Sequence, residues 1–385
     1  MRKIGIVTTG RCDYGIYRSL IDEIQQSPDL ELRLYVTGMH LSKLHGYTLQ
    51  DILDDGIKPA AEIPVDLTGD SPLEIGRAMG ALTGKFAEAF SGELPDILFA
   101  LGDRFEMHAA VVAAVPFNVI IAHIHGGELT YGAIDDVFRH SLTKLSHLHF
   151  TSTKEYARRV IQMGERPETV FVSGAPGLDQ LLRCKKLDTD TLGERYAIDF
   201  SLPIMLVTFH PVTREPDHNL AYIKNLIEAL REFKTHNIIF TGPNADPGSQ
   251  IIRERIRDAV ERYGNFYFVN NFGIDGFANM LRQASILIGN SSSGIIEAAS
   301  YQLPVVNIGS RQDGRSRGPN VIDCDYSAAA ITETIARGLS ATFKSKIRNL
   351  ENPYGQGRAG KSIVAVIKQL TEMDVVKKFY DLERT

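Results

Sequence analysis

Short apolar runs and amphipathic stretches alternate along most of the chain. IGIVTTG (4–10) precedes YGIYRSLIDEIQQSP, and LRLYVTG comes next. DILFALGD leads into RFEMHAAVVAAV, and NVIIAHIHGG precedes a helix expected near Ile134–Leu145. LHFTST leads into KEYARRVIQMG, and TVFVSG closes the series. The runs are almost continuously apolar and rich in β-branched residues, the pattern of strands buried on both faces of a parallel sheet. A second series begins after a polar stretch near Lys185–Phe200. Its strands are IMLVTFHP, NIIFTGPN, FYFVNNF, SILIGNSSSG and PVVNIGS, with HNLAYIKNLIEALREF and IIRERIRDAVERYG as helices between them. This alternation predicts an α/β chain of two Rossmann-like domains with a cleft between, at about 1–175 and 176–365. The last helical stretch, AGKSIVAVIKQLTEMDVVKKFYDLE, has no strand after it.

Length agrees, since 385 residues suit two domains of ordinary size. The 42 basic and 47 acidic residues leave a formal charge of −5, with no basic run. A long nucleic acid is therefore not an expected partner, whereas a small anion needs only a few placed cations. The longest apolar runs are broken by Gly, Pro or His, so no membrane partner is expected. The N-terminus reads as a first strand and not as a signal peptide. Cys12, Cys184 and Cys324 are scattered and offer neither a disulfide framework nor a zinc site. A cytoplasmic location is the expectation.

One motif match is deceptive. Gly355–Ser362, GQGRAGKS, fits the P-loop pattern. A P-loop follows a buried strand, and NLENPYG is none; too little chain follows to complete the fold. The segment reads as a Gly-rich lead into a helix. SILIGN-SSSG-IIEAASYQ carries more weight. It is strand, tight turn and helix, and such a turn turns backbone N–H groups toward an anion. Ser291, Ser292 and Ser293 add hydroxyls, where a simple cap needs one. Glu297 suits either a ribose diol or the positive end of the helix.

Three strands end in charge that a buried sheet avoids. Asp103 and Arg104 follow the first, His123, His125 and Glu128 end the second, and His210 ends the third. Functional groups of doubly wound sheets collect at these carboxyl ends. Asp135 and Asp136 follow at a helix start, with Arg139 and His140 one turn later. Asp103 and Asp135 are either acid/base groups or helix N-caps. His123 suits the core better than catalysis. His123-x-His125 could offer two metal ligands, but the second series supplies Arg and Ser, so no metal is expected. Arg11, Arg104, Arg311, Arg315 and Arg317 lie near strand ends or loops. Their planar donor forks suit phosphate, the alternative being solvated surface charge. No G-x-G-x-x-G follows the first strand, so no redox cofactor is expected.

These residues bring a family into view. GRCDYG (10–15), VTGMHL (36–41), LGDRFE (101–106), HIHGGE (123–128) and IDDVFRHSLTKLSHLHF (134–150) match its pattern, as do FHPVT (209–213), GPNADPGS (242–249), GNSSSGIIEA (289–298), NIGSRQDGR (307–315) and NPYGQGRAG (352–360). Across nearly its whole length the chain resembles the UDP-N-acetylglucosamine 2-epimerases, within them the hydrolysing, sialic-acid-pathway branch. The resemblance implies a GT-B-type fold whose C-terminal helix, about 366–385, returns to the first domain. It implies that Arg11, Arg104, His210, Asn244, Ser291, Ser292, Glu297 and Arg311 bind the UDP-sugar, and that Asp103 and Asp135 do acid/base work. Where many relatives carry a glutamate this chain has His125, so the remaining catalytic role falls to His125 or Glu128.

The reaction so implied is elimination of UDP to a glycal, then hydration with inversion at C2, releasing N-acetylmannosamine without any cofactor. A UDP- or GDP-linked 2,4-diacetamido-trideoxyhexose is the alternative substrate. A GT-B glycosyltransferase and a non-catalytic nucleotide-sugar sensor are rival classes, though neither needs the carboxylate cluster. A homodimer or homotetramer is expected.

Overall fold

Thirteen strands, all parallel to their neighbours, form two sheets among the described residues. The computed structural model describes every residue except 44–45, 67–68, 70, 132–133, 214, 244–247, 371–373 and 383–385. The chain divides into two compact units, Met1–Asp179 with Gly357–Thr385, and Gln180–Gln356.

The first unit holds β1 (Arg2–Thr8), β2 (Leu30–Thr37), β3 (Ala61–Ile63), β4 (Ile97–Leu101), β5 (Ile120–Ile124), β6 (Leu148–Thr151) and β7 (Val170–Val172). Their order is β3-β2-β1-β4-β5-β6-β7. β1 lies between β2 and β4, with Ile4 opposite Leu32 and Ile97. All five residues of β4 and of β5 are buried, as helices on both faces require. Ile4, Ile6, Phe99 and Phe150 lie in one core, where each large side chain contributes about 1.5–3 kcal/mol on leaving water.

The second unit holds β8 (Ile204–Thr208), β9 (Asn237–Thr241), β10 (Phe266–Val269), β11 (Ala284–Gly289), β12 (Val305–Ile308) and β13 (Val321–Cys324). Their order is β10-β9-β8-β11-β12-β13. In both sheets the chain runs outward from a first strand, then returns to start a fourth beside it. That reversal splays the loops at the carboxyl ends and opens room there for a ligand.

Some elements differ from expectation. β3 and β13 have three and four residues, too few to show a period. The polar stretch near Lys185–Phe200 contains a helix, Thr189–Tyr196, whose first turn is capped by the Asp188 carboxylate on the Thr191 N–H at 2.7 Å.

The C-terminal helix does return to the first unit, but over Ala359–Gln369 and not to the chain end. Ile363, Val364 and Ile367 join the first core. The helix crosses Arg11–Gln25 so closely that a Cβ on Gly360 would lie 2.8 Å from the Ser19 backbone. Arg2 ends the helix by donating to the carbonyls of Ile367 at 2.5 Å and Leu370 at 2.6 Å. Leu370 is extended, and residues 374–382 are not helical. The apolar positions of VVKKFYDL therefore belong to a strap: Phe379 lies against Gly164, and Lys377 donates to the carbonyls of Lys144 and Ser146 at 2.6 Å each.

The P-loop match is explained in the same place. The N–H groups of Ala359 and Gly360, which a P-loop would give to phosphate, donate to the buried Asp179 carboxylate at 2.9 and 2.8 Å.

Candidate active site

Two groups of polar side chains follow β4 and β5 in the first unit. After β4, Gly102 turns the chain with φ +67, and Asp103 and Arg104 lead into the Phe105–Ala114 helix. Asp103 is no helix cap. The N-cap position is Arg104, and the Asp103 carboxylate is bonded by Arg139, which is almost wholly buried in the Ile134–Leu145 helix. Arg139 also donates to Thr130 Oγ1 at 3.0 Å and Asp136 Oδ1 at 3.4 Å, and Asp136 accepts the Thr130 N–H at 2.8 Å. His140 lies 3.5 Å from the other Asp136 oxygen.

Arg104 pairs with fully buried Glu106 at 3.2 Å. Burial works against its charge, but Glu106, Asp13 and Asp135 outweigh it and raise its pKa. Asp135 thus stands within the electrostatic reach of Arg104, in the first turn of its helix. Asp13, in the first turn of Arg11–Gln25, is raised by burial, although the Thr9 hydroxyl bonds it at 2.5 Å.

After β5, His125 Nδ1 lies within hydrogen-bond distance of Glu128 Oε1, at 2.6 Å. The backbone of His125 is left-handed, φ +65, a strained conformation for a β-carbon residue and one that collects at functional sites. His123 is different. It is fully buried, Nε2 meets the Gly102 carbonyl at 2.8 Å and Nδ1 meets Thr143 Oγ1 at 3.2 Å, and burial lowers its pKa to about 3. It is a neutral core residue. Among the described residues no group of three His, Cys, Asp or Glu could hold a metal ion.

The second unit gathers a different set. His210 follows β8, and Asn290 follows β11. The Asn290 side chain accepts the His210 N–H at 2.7 Å and donates to the His210 carbonyl at 2.8 Å. Its backbone carbonyl accepts Arg311 Nη1 at 3.2 Å and Gln312 Nε2 at 2.9 Å. One buried residue thereby joins three loops. β11 ends in Gly289, whose φ is +140; a Cβ there would lie 2.0 Å from the Thr208 carbonyl oxygen. Ser291 caps the short helix Ser292–Ile296, and Ser293 Oγ donates to Ser291 Oγ at 2.8 Å. Burial, then the charge of Arg311, lowers His210 to about 4, so it is neutral at pH 7. Burial raises Glu297 to about 7.

The expected residues thus fall into two sets. Asp103, Arg104, His125 and Glu128 follow strand ends of the first unit, and Asp135 is in the first turn of the helix after β5. His210, Ser291, Ser292, Glu297 and Arg311 follow strand ends of the second. Arg11, also in the first unit, is exposed and lies only 4.0 Å from Asp51. Asn244 lies outside the described residues. Arg317 pairs with Asp323 at 2.9 Å and Asp313 at 3.3 Å, a surface network that meets the solvated alternative. Asn290 carries no charge, and only its place beside the serine turn marks it.

No helix among the described residues is long and apolar enough to cross a membrane. Residues 22–368 match the family model described as UDP-N-acetylglucosamine 2-epimerase. A Legionella pneumophila protein named UDP-N,N'-diacetylbacillosamine 2-epimerase (hydrolyzing) is 39% identical over 370 residues, 96% of each chain. An Escherichia coli protein named polysialic acid biosynthesis protein P7 is 36% identical over 385 residues, covering 99% of this chain and 98% of that one. Among solved structures, the Neisseria meningitidis UDP-GlcNAc 2-epimerase bound to UDP-GlcNAc has a TM-score of 0.80 at 19% identity, covering 95% of this chain and all of that one. The likeness shows a shared GT-B-type fold of two Rossmann-like domains. With a family model spanning most of its length, the chain belongs to the UDP-N-acetylglucosamine 2-epimerase family.

Proposed function

We propose that the chain is a hydrolysing 2-epimerase of a UDP-linked 2-acetamido sugar. The observation that carries this is the separation of chemistry between the two sets. The first unit gathers carboxylates and His125, groups suited to moving protons. The second gathers neutral His210, serine hydroxyls and Arg311, groups suited to a departing diphosphate. His210, Asn244, Ser291, Ser292, Glu297 and Arg311 are assigned to UDP, helped by Arg11 and Arg104. Asp103, Asp135 and the His125–Glu128 pair are assigned to proton transfer.

In this mechanism the C2–H bond breaks and its electron pair closes a C1=C2 double bond. The C1–O bond breaks with it, and that pair leaves on UDP. Water then adds oxygen to C1 of the glycal, and a proton returns to C2 from the opposite face. A glycosyltransferase reading is weaker, because the 39% identical relative is named as a hydrolysing epimerase and transfer does not call for this carboxylate cluster.

N-acetylglucosamine is the sugar the family name suggests. The name of the 39% identical relative favours the alternative, a 2,4-diacetamido-2,4,6-trideoxy sugar, which shares the 2-acetamido group and differs at C4 and C6. Turnover of both UDP-sugars in D₂O and in ¹⁸O water decides sugar and path together. We expect deuterium at C2 and ¹⁸O in the released sugar, with UDP unlabelled. Label in UDP, or a sugar that keeps its C2 hydrogen, would overturn the mechanism.

A further inference from the structure

One residue of the proton-handling set carries no signal in the sequence. Ser152 follows β6 and is 1% exposed, and its hydroxyl donates to Glu128 Oε1 at 2.6 Å. The same oxygen receives the His125 ring at 2.6 Å. The Glu128 side chain is 4% exposed, whereas the His125 side chain keeps 14% of its surface. Of the two groups left open for one role, the carboxylate is thus sealed in and the imidazole faces out.

The two bonds also fix the proton on the ring. A carboxylate oxygen already taking the Ser152 hydroxyl accepts, so Nδ1 must bear the hydrogen. In neutral imidazole the lone pair is then on Nε2. No hydrogen bond links Nε2 to a described residue. The backbone sets the ring's position: the His125 N–H donates to the Phe150 carbonyl at 3.1 Å, in the strained left-handed turn.

We propose that Ser152 and Glu128 are positioning residues that hold His125 as its Nδ1–H tautomer, and that Nε2 of His125 takes the proton from C2 of the sugar. This rests on the epimerase reading. In the step, the C2–H pair becomes the C1=C2 bond and the C1–O pair leaves on UDP. The proton stays on Nε2 as an imidazolium, facing the Glu128 carboxylate, and passes to solvent before the next turnover.

The test combines ¹⁵N-histidine NMR of the full-length protein with steady-state kinetics. The His125 signal is assigned from the spectrum of H125N. In the wild type at pH 8 the hydrogen should be on Nδ1. E128Q, whose amide can turn its N–H₂ toward Nδ1, should move the hydrogen to Nε2 and lower kcat about 10²–10⁴-fold. S152A should lower kcat about 10-fold with KM unchanged, and S152T should restore most of the loss. A wild-type hydrogen on Nε2 overturns the inference, as does H125N with kcat within a few-fold of wild type. E128Q inactive with its tautomer unmoved returns the base role to Glu128. If the wild type turns over no nucleotide sugar, the epimerase reading fails, and the base role with it, while the tautomer is read by NMR alone.

Discussion

The two units share a strand order and differ in what they place on it. Each sheet reverses direction beside its first strand, β1 against β4 and β8 against β11. In the first unit the loops there carry Asp103, Arg104 and, one strand on, His125 and Glu128. In the second they carry His210, Asn290 and the serine turn. The first set is rich in charge compensated locally: Asp103 by Arg139, Glu106 by Arg104. The second keeps His210 neutral and gathers the backbone of His210 and the side chains of Arg311 and Gln312 about one residue, Asn290. The fold supplies the place, and the residues choose the chemistry.

The sharpest way to break this contrast is to remove one carboxylate. Asp103→Asn and Asp135→Asn should each lower kcat about 10²–10⁴-fold, the usual worth of a general acid or base. UDP affinity, measured by calorimetry, should stay within a few-fold of wild type. Near-normal turnover in either variant would remove that residue from the proton-handling set. A collapse of UDP binding would instead blur the division between units.

Arg311→Ala tests the other side. A charge-assisted hydrogen bond is worth about 1.5–3 kcal/mol, so UDP affinity should fall roughly 10- to 150-fold. Ser292→Ala removes a neutral donor and should cost less. Calorimetry with UDP alone reads both. If neither changes affinity, the second unit does not hold the diphosphate.

Legibility in the sequence followed the strength of each local signal. β4, β5 and β8 are continuous apolar runs, and a run of that kind has few other places to go than a sheet covered on both faces. The charges after them stood out because a buried sheet excludes charge. Ser152 and Asn290 gave no such sign, since neutral polar residues are common after strands and their partners are distant in sequence. Ser152 bonds Glu128, 24 residues away, and Asn290 bonds His210, 80 residues away. The helix expected through 385 failed for the same reason: its end is set by Arg2, at the other end of the chain. The cap reading of Asp103 fell to two structural facts, the place of Arg104 at the N-cap and the contact with Arg139, 36 residues off.

Acid should separate the units. In the first, burial lowers His123 to about 3 and His40 to about 4, and His149 is also lowered. Glu165, despite its burial, is held low by His149, Lys144 and Lys377. All four are depressed, so the stability they lend is present above their unfolded values. It is lost as pH falls, between about 6.5 and 3 for His123 and below about 4.5 for Glu165. Asp13 of the first unit is raised and opposes them; the second unit has His210 and His236 with the depressed sign, but Glu297 is raised to about 7 and lends stability that grows on acidification. Hydrogen exchange at pH 7 and pH 5, corrected for the intrinsic rate, should show protection lost first in the first unit. Earlier loss in the second would mean that these buried histidines are not the acid-labile groups.

The smallest expected effect belongs to the segment that most resembles a phosphate site. Lys361→Ala should leave UDP affinity and turnover unchanged. In a P-loop the lysine works because the backbone N–H groups before it are free to receive phosphate. Here those of Ala359 and Gly360 are bound to Asp179, which is fully buried and supplies the negative charge that the helix end would seek. A phosphate arriving there would have to displace one anion to place another, and Lys361 itself is exposed. Asp179→Ala makes the complementary case. Losing it leaves two buried N–H groups without an acceptor, at about 1–3 kcal/mol each, so the melting temperature should fall. UDP affinity at a temperature where the variant remains folded should not. A large loss of UDP binding in Lys361→Ala would show that the loop binds phosphate after all, and the division of chemistry between the two units would have to be redrawn.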